Sequence, residues 1–170
     1  TVATQTEIYD HLRLFYARVG VPYYKGKKLE KQSAQEMVER LLRLSEGTKV
    51  NILSPMVKGK KGTYSNVGRD VAKAGFARLR VDGEMYETGD KLKLDRYKVH
   101  TIEVVVDRLS IKPDIKARLT DSVETALKVG KGVVLVSFHD GRPDLVFSET
   151  FSVPDEDINL PELEPRTFSF

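Results

Sequence analysis

The sequence contains no cysteine among its 170 residues. That excludes disulfides, thiolate metal sites and a cysteine nucleophile. It has no apolar run near the roughly 18 residues that span a bilayer, and its N-terminus lacks the basic-then-apolar pattern of a secretion signal. A cytoplasmic location with no membrane partner is therefore expected. Neither a GxxxxGK[ST] loop nor a GxGxxG string occurs, so no nucleotide is expected to bind this segment. The three histidines, His11, His100 and His139, fall on a helix, a strand and a turn, at spacings that suit no metal. The paired carboxylates Glu84 with Glu87 and Glu162 with Glu164 fall in turns and tails, where solvation accounts for them. A non-catalytic chain without a metal site is the expectation.

What is present describes a soluble globular chain: 40% hydrophobic and 31% charged residues, with a mean hydropathy of -0.35. The 28 basic and 25 acidic residues nearly balance at a net charge of +3. Such a balance permits an acidic partner but does not mark a dedicated nucleic-acid binder. The length suits one main core. The sequence opens at Thr1 without a methionine and stops at Phe170 after an apolar run, which suggests a piece of a larger parent.

Periodicity places the elements. Thr4-Gln-Thr-Glu7 has capping-box spacing and precedes Ile8, Leu12, Phe15 and Val19 on one helical face, with a stop at Gly20. Residues 21–32 carry Pro, Gly and lysines without a period and read as a linker. Ser33 to Glu36 repeats the capping box before the stripe of Met37, Val38, Leu41 and Leu42. A short strand follows from Lys49 to Ser54 and halts at Pro55, leaving MVKGKKGTY as a loop. Tyr64, Val67 and Val71 give a helix closed by Gly75, with Gly68 as a weak spot within it.

Residues 76–82 alternate, with Ala77, Leu79 and Val81 opposite Arg78 and Arg80, before an Asp82-Gly83 turn. Residues 99–109 set Ile102, Val104 and Val106 against Thr101, Glu103 and Asp107 in a central strand. Pro113 opens a helix carrying Ile115, Leu119, Val123, Ala126 and Leu127, with Gly130 at the left-handed C-terminal cap. Strands 133–138 and 145–151 flank a turn at 139–143, and a Pro-rich acidic tail follows. The fold class expected is α/β (α+β): a mixed, largely antiparallel sheet, about three packed helices, an N-terminal helix and an extended C-terminal tail.

Two basic features are candidate sites. Lys58, Lys60 and Lys61 form a cationic loop that could meet DNA phosphates or simply be solvated. Arg78 and Arg80 lie about 6–7 Å apart on one strand face, a spacing that suits partner carboxylates. Their alternative is pairing with Glu84, Glu103 or Asp107 across the sheet. Arg108 shares the parity of Ile102 and Val104 but sits at the strand end, where it escapes the core or follows a bulge.

The strings TEIYDHLRLFYARVG, EGTKVNILSPMVKGKKG, ARLRVDGE, HTIEVVVDRL, ARLTDSVETAL and LPELEPRTFSF run in order over nearly the whole chain. Together they resemble the UvrA family of bacterial nucleotide excision repair. The resemblance implies that residues 1–32 and 149–170 belong to the signature region of a first ATP-binding-cassette half, with 33–148 as an inserted domain that docks UvrB. It implies a homodimeric parent that binds ATP and DNA and loads UvrB at damage. It also implies that Arg78 and Arg108 meet acidic residues of UvrB, with Arg80 as a neighbour. The alternative function is a DNA-contacting clamp built on Lys58, Lys60 and Lys61.

One departure concerns zinc. The family's cysteine pairs at the base of the insertion are missing: Val153 and Glu156 stand where cysteines would be, and Tyr23-Tyr-Lys-Gly26 replaces the first pair. The zinc site is not carried over, and an apolar clasp of Tyr23, Tyr24, Phe151 and Val153 is expected in its place.

Overall fold

A computed structural model of the chain describes residues 2–20, 23–24, 27–28 and 31–149. The chain divides into two units, Thr1–Lys31 with Thr150–Phe170, and Gln32–Glu149. In the first, helix α1 spans Val2–Val19. It begins before Thr4, so the capping box expected at 4–7 does not start it, and Ile8, Leu12 and Phe15 are exposed. The expected linker contains a minimal antiparallel ribbon, β1 (Tyr23–Tyr24) and β2 (Lys27–Lys28). The expected tail, with Phe151, Val153 and Glu156, lies outside the described residues, as do the side chains of Tyr23 and Tyr24. Among the described residues no helix is long and apolar enough to cross a membrane.

The second unit is one six-stranded sheet with helices on one face. Helix α2 (Ala34–Leu42) starts at Ser33 because the capping box forms there: the Glu36 N–H donates to Ser33 Oγ, and the Ser33 N–H donates to Glu36 Oε2 at 2.7 Å. The strands are β3 (Lys49–Lys61), β4 (Arg78–Val81), β5 (Glu84–Glu87), β6 (Val99–Ser110), β7 (Val133–Phe138) and β8 (Leu145–Ser148). Their order is β5-β4-β6-β3-β7-β8, and every neighbouring pair is antiparallel, so the sheet is not mixed. As expected, β6 is central.

Helix α3 (Val67–Lys73) and helix α4 (Lys116–Val129) complete the helical face. One cluster joins Met37, Val38 and Leu41 to Leu119, Val123 and Ala126 over Val50, Ile52, Val134 and Val136. A second joins Val67 and Val71 to Leu79, Val81, Ile102 and Val104. Gly68 is more than a weak helix former here, since a Cβ would sit 2.7 Å from the Thr88 carbonyl oxygen.

Three local expectations change. The strand expected to stop at Pro55 runs on to Lys61, so the lysines lie on β3. The reason is that β7 leaves β3 at Leu53, and a proline is tolerated where a strand has only one neighbour. Pro113 is not in the first turn of α4; it sits in a turn closed by the Ile115 N–H donating to the Lys112 carbonyl. Gly130 has φ -85 and is not the left-handed cap; Lys131, at φ 52, takes that place, with the Gly132 N–H on the Leu127 carbonyl.

A buried histidine ties the Asp82-Gly83 turn to the sheet. His100 Nδ1 lies 2.6 Å from an Asp82 carboxylate oxygen, and its Nε2 lies 2.8 Å from the Asp95 carbonyl. Two acceptors at the two nitrogens favour the doubly protonated imidazolium. Asp82, and secondarily the Asp95 carbonyl, raise the His100 pKa against a smaller opposing effect of burial. Its contribution to stability is therefore complete below the ordinary histidine value of about 6.5 and fades as pH rises through the higher folded value. We predict that the wild type loses part of its thermal stability as pH rises above the ordinary histidine value of about 6.5, and that His100→Gln abolishes that part of the pH dependence. An identical pH profile in the variant would contradict the assignment.

Candidate functional site: the open face of the sheet

Partners across an antiparallel ladder point to the same face. Arg78 pairs with Val105 and Glu87, Arg80 with Glu103 and Met85, and the alternating Leu79 and Val81 enter the helical core. Arg78 and Arg80 are thus on the face away from the helices, as the alternation predicts.

Arg108 reaches the same face through a bulge. Leu53 pairs with Val105, but Ile52 pairs with Asp107, so Val106 is an extra residue in β6. The extra residue inverts the parity of all that follows. Asp107 joins the helical face, while Arg108 pairs with Asn51 on the open face. There Asp107 accepts two hydrogen bonds from Arg118, at 3.0 and 2.7 Å, and one from the Ser122 hydroxyl at 2.7 Å. Burial pushes the Asp107 pKa up, but these donors hold it below the ordinary carboxylate value.

The three arginines have different surroundings. Arg80 is held by Glu103, with Nε 2.5 Å from Oε2 and Nη2 2.9 Å from Oε1, and by Asp144 at 2.6 Å. Its side chain is 13% exposed and that of Glu103 7%. Burial lowers the Arg80 pKa, but hydrogen bonds and charge from the two carboxylates more than offset this and hold it above the ordinary value. Arg80 is an internal clamp. Since β4 and β8 are separated by three strands, the loop 139–144 must fold back over the open face for Asp144 to reach it. Arg78 makes one exposed contact with Glu87 at 3.4 Å, of the kind that contributes little. Arg108 is exposed, and its guanidinium has no partner among the described residues.

Arg78 and Arg108 line one depression together with Lys49, Lys112, Arg118 and His139, and no carboxylate is part of that lining. A second depression beside it holds Arg78, Arg80 and Arg108 with Met85, Phe138 and His139 and with three carboxylates, Glu87, Asp90 and Asp144. His139 Nε2 is 3.0 Å from Asn51 Oδ1, and Asn51 Nδ2 donates to Ser137 Oγ at 2.9 Å. This chain fixes the ring beside the arginines. The surface can bind anions through forked guanidinium donors, but among the described residues no three His, Asp or Glu side chains are grouped to hold a metal.

Alternation alone places Arg78 and Arg80 on one face and names Glu103 as an alternative partner, while it leaves Arg108 open between the core and a bulge. It missed Lys49, Lys112, Arg118, His139 and Asp144, which come from separate segments and share no local period. Lys58, Lys60 and Lys61 are elsewhere: Lys60 pairs with His100 and Lys61 with Val99, nine or more residues along β3 from Asn51. At about 3.3 Å per residue, that is roughly 30 Å from Arg108.

The clamp carries a prediction. Arg80→Met leaves Glu103 buried without a counter-charge and should lower stability in a urea titration by about 2–4 kcal/mol, whereas Arg108→Met should change it by less than about 0.5 kcal/mol. Equal stability of the two variants would refute the distinction between a clamp and a free cation.

Comparison with known proteins places this geometry in context. A family model described as the UvrA interaction domain matches residues 32–140. Over the whole chain, the sequence is 46% identical to the UvrABC system protein A of Clostridium acetobutylicum across 173 residues. It is 48% identical to the protein of the same name from Halalkalibacterium halodurans across 172 residues, and 48% to that of Staphylococcus aureus across 172. In each case the chain is covered completely and spans 18% of the relative's length.

Proposed function

This chain belongs to the UvrA family, and from that premise we propose that its open sheet face docks an acidic surface of UvrB during nucleotide excision repair. The observation that carries the reading is the pair Arg78 and Arg108: one weakly paired, one unpaired among the described residues, in a depression lined without a carboxylate. Of the five cations in that lining, Lys49, Arg108 and Lys112 make no ion pair among the described residues, and their mutual repulsion lowers the chain's own stability slightly. A carboxylate-rich partner relieves that repulsion and gains bidentate hydrogen bonds. Met85 and Phe138 beside the arginines supply apolar area of the kind found at the centre of interfaces.

On this reading the role is adhesion rather than catalysis. Residues 33–148 are the docking insertion, and 1–32 with 149–170 join it to the parent's first ATP-binding-cassette half. ATP binding and dimerisation belong to that cytoplasmic parent, and this segment needs neither nucleotide nor zinc to engage its partner. Arg80 contributes by keeping the 139–144 loop folded beside the arginines instead of touching the partner itself.

Calorimetric titration of the chain with purified UvrB tests the proposal. Arg78→Glu and Arg108→Glu should each weaken binding by about 30-fold or more, corresponding to 2 kcal/mol or above, while leaving the unfolding transition in place. Wild-type affinity in both variants would overturn the assignment of the open face.

A further inference from the structure

The other end of β3 has its own chemistry. Segments 58–61 and 91–98 carry seven cationic side chains and one carboxylate, Asp95. The ladder sets Lys60 opposite His100 and Lys61 opposite Val99, the residues that follow the second segment. Three further contacts hold the second segment against the first. The His100 ring reaches the Asp95 carbonyl at 2.8 Å, the Tyr64 ring stands edge-on to His100, and the Tyr64 hydroxyl donates to the Lys61 carbonyl at 3.2 Å. Leu92 and Leu94 turn inward onto the Val67 and Val71 cluster, which leaves Lys91 and Lys93 outward. The basic strip is therefore built on the buried His100 and the half-buried Tyr64, Leu92 and Leu94.

Six of its seven cations have no internal counter-charge among the described residues. Among the described residues, Lys60, Lys61, Lys91, Lys93, Arg96 and Lys98 make no ion pair. Asp95 spends one carboxylate oxygen on the Tyr97 N–H at 2.9 Å. In the middle of the strip Tyr97 is 70% exposed, with the Arg96 guanidinium 4.9 Å from its ring centroid. An exposed aromatic ring beside cations offers both a stacking face and charge to a ligand that carries rings and phosphates. A run of cations matches a repeating row of phosphates, and an exposed ring stacked by arginine matches a base.

We propose that this strip binds the phosphodiester backbone of DNA, with Tyr97 offering a stacking surface for an unpaired base. Lys60 and Lys61 lie roughly 30 Å along β3 from Arg108, and the occupant of the strip is of a different class from that of the arginine face. Contact with phosphates should be independent of sequence and steeply dependent on salt.

The test is fluorescence anisotropy with a labelled 20-nucleotide single strand and the matching duplex between 50 and 200 mM salt, using the whole chain and no protein partner. The wild type should bind both probes. Replacing Lys60, Lys61, Arg96 and Lys98 together by serine should weaken both at least about tenfold at the lower salt and flatten the logarithmic salt dependence by about three. The Arg78→Glu/Arg108→Glu double variant should bind as the wild type does, which separates this proposal from the docking of UvrB. Tyr97→Ala should weaken only the single strand. Absence of wild-type binding, or an unaltered salt slope in the serine variant, would overturn the proposal, and an unchanged single-strand affinity in Tyr97→Ala would overturn the stacking role.

Discussion

The extra residue at Val106 determines what this domain can present to a partner. Side chains on a strand alternate, so one inserted residue exchanges the faces of everything beyond it. Without it, Arg108 would follow Ile102 and Val104 toward the helices, and Asp107 would face solvent. With it, Leu109 meets Val50 in the core, Asp107 turns to α4, where Arg118 and Ser122 hold it, and Arg108 joins Arg78 across the sheet. Bulges recur beside functional surfaces for this reason: they re-aim a side chain at the cost of one unpaired residue.

A one-sided sheet then sorts the charges. All three packed helices cover one face, which leaves the other to be stabilised by its own polar groups and by the 139–144 loop. Arg80 is satisfied by Glu103 and Asp144 and so fixes that loop. Arg78 and Arg108, a few ångströms along the same face, are left with little or nothing to hold. Two guanidinium groups that look equivalent on a strand thus have opposite fates, one structural and one available. The opposite end of β3 repeats the division, with His100 satisfied on both nitrogens beside Lys60 and Lys61, which make no ion pair among the described residues.

The sequence shows the architecture wherever the signal is local. Ser33 and Glu36 announce α2 through a reciprocal cap, the stripe from Leu119 to Leu127 announces α4, and the alternation around Leu79 and Val81 separates Arg78 and Arg80 from the core. Signals fail where a distant partner decides. Pro55 reads as a stop, yet β6 carries the strand past it because β7 has already departed. Nothing near Val106 marks an insertion, because a bulge depends on which residue of β3 stands opposite. Asp144 lies 64 positions from Arg80 and three strands away, so no period could join them. The family resemblance supplied Arg108 where parity alone argued against it, and the bulge provides the physical reason that the two agree.

The absence of cysteine makes the central geometry directly measurable by introduced pairs. Residues opposite each other in an antiparallel ladder have Cα atoms about 4.5–5.5 Å apart, within the range a disulfide spans. The double variant Asn51→Cys/Arg108→Cys should therefore close a disulfide readily under mild oxidation, while Val50→Cys/Arg108→Cys should not. Without the bulge, Arg108 would fall opposite Val50. Closure of the Val50 pair in place of the Asn51 pair would show that Arg108 does not share the face of Arg78, and the docking surface described for this domain would not exist.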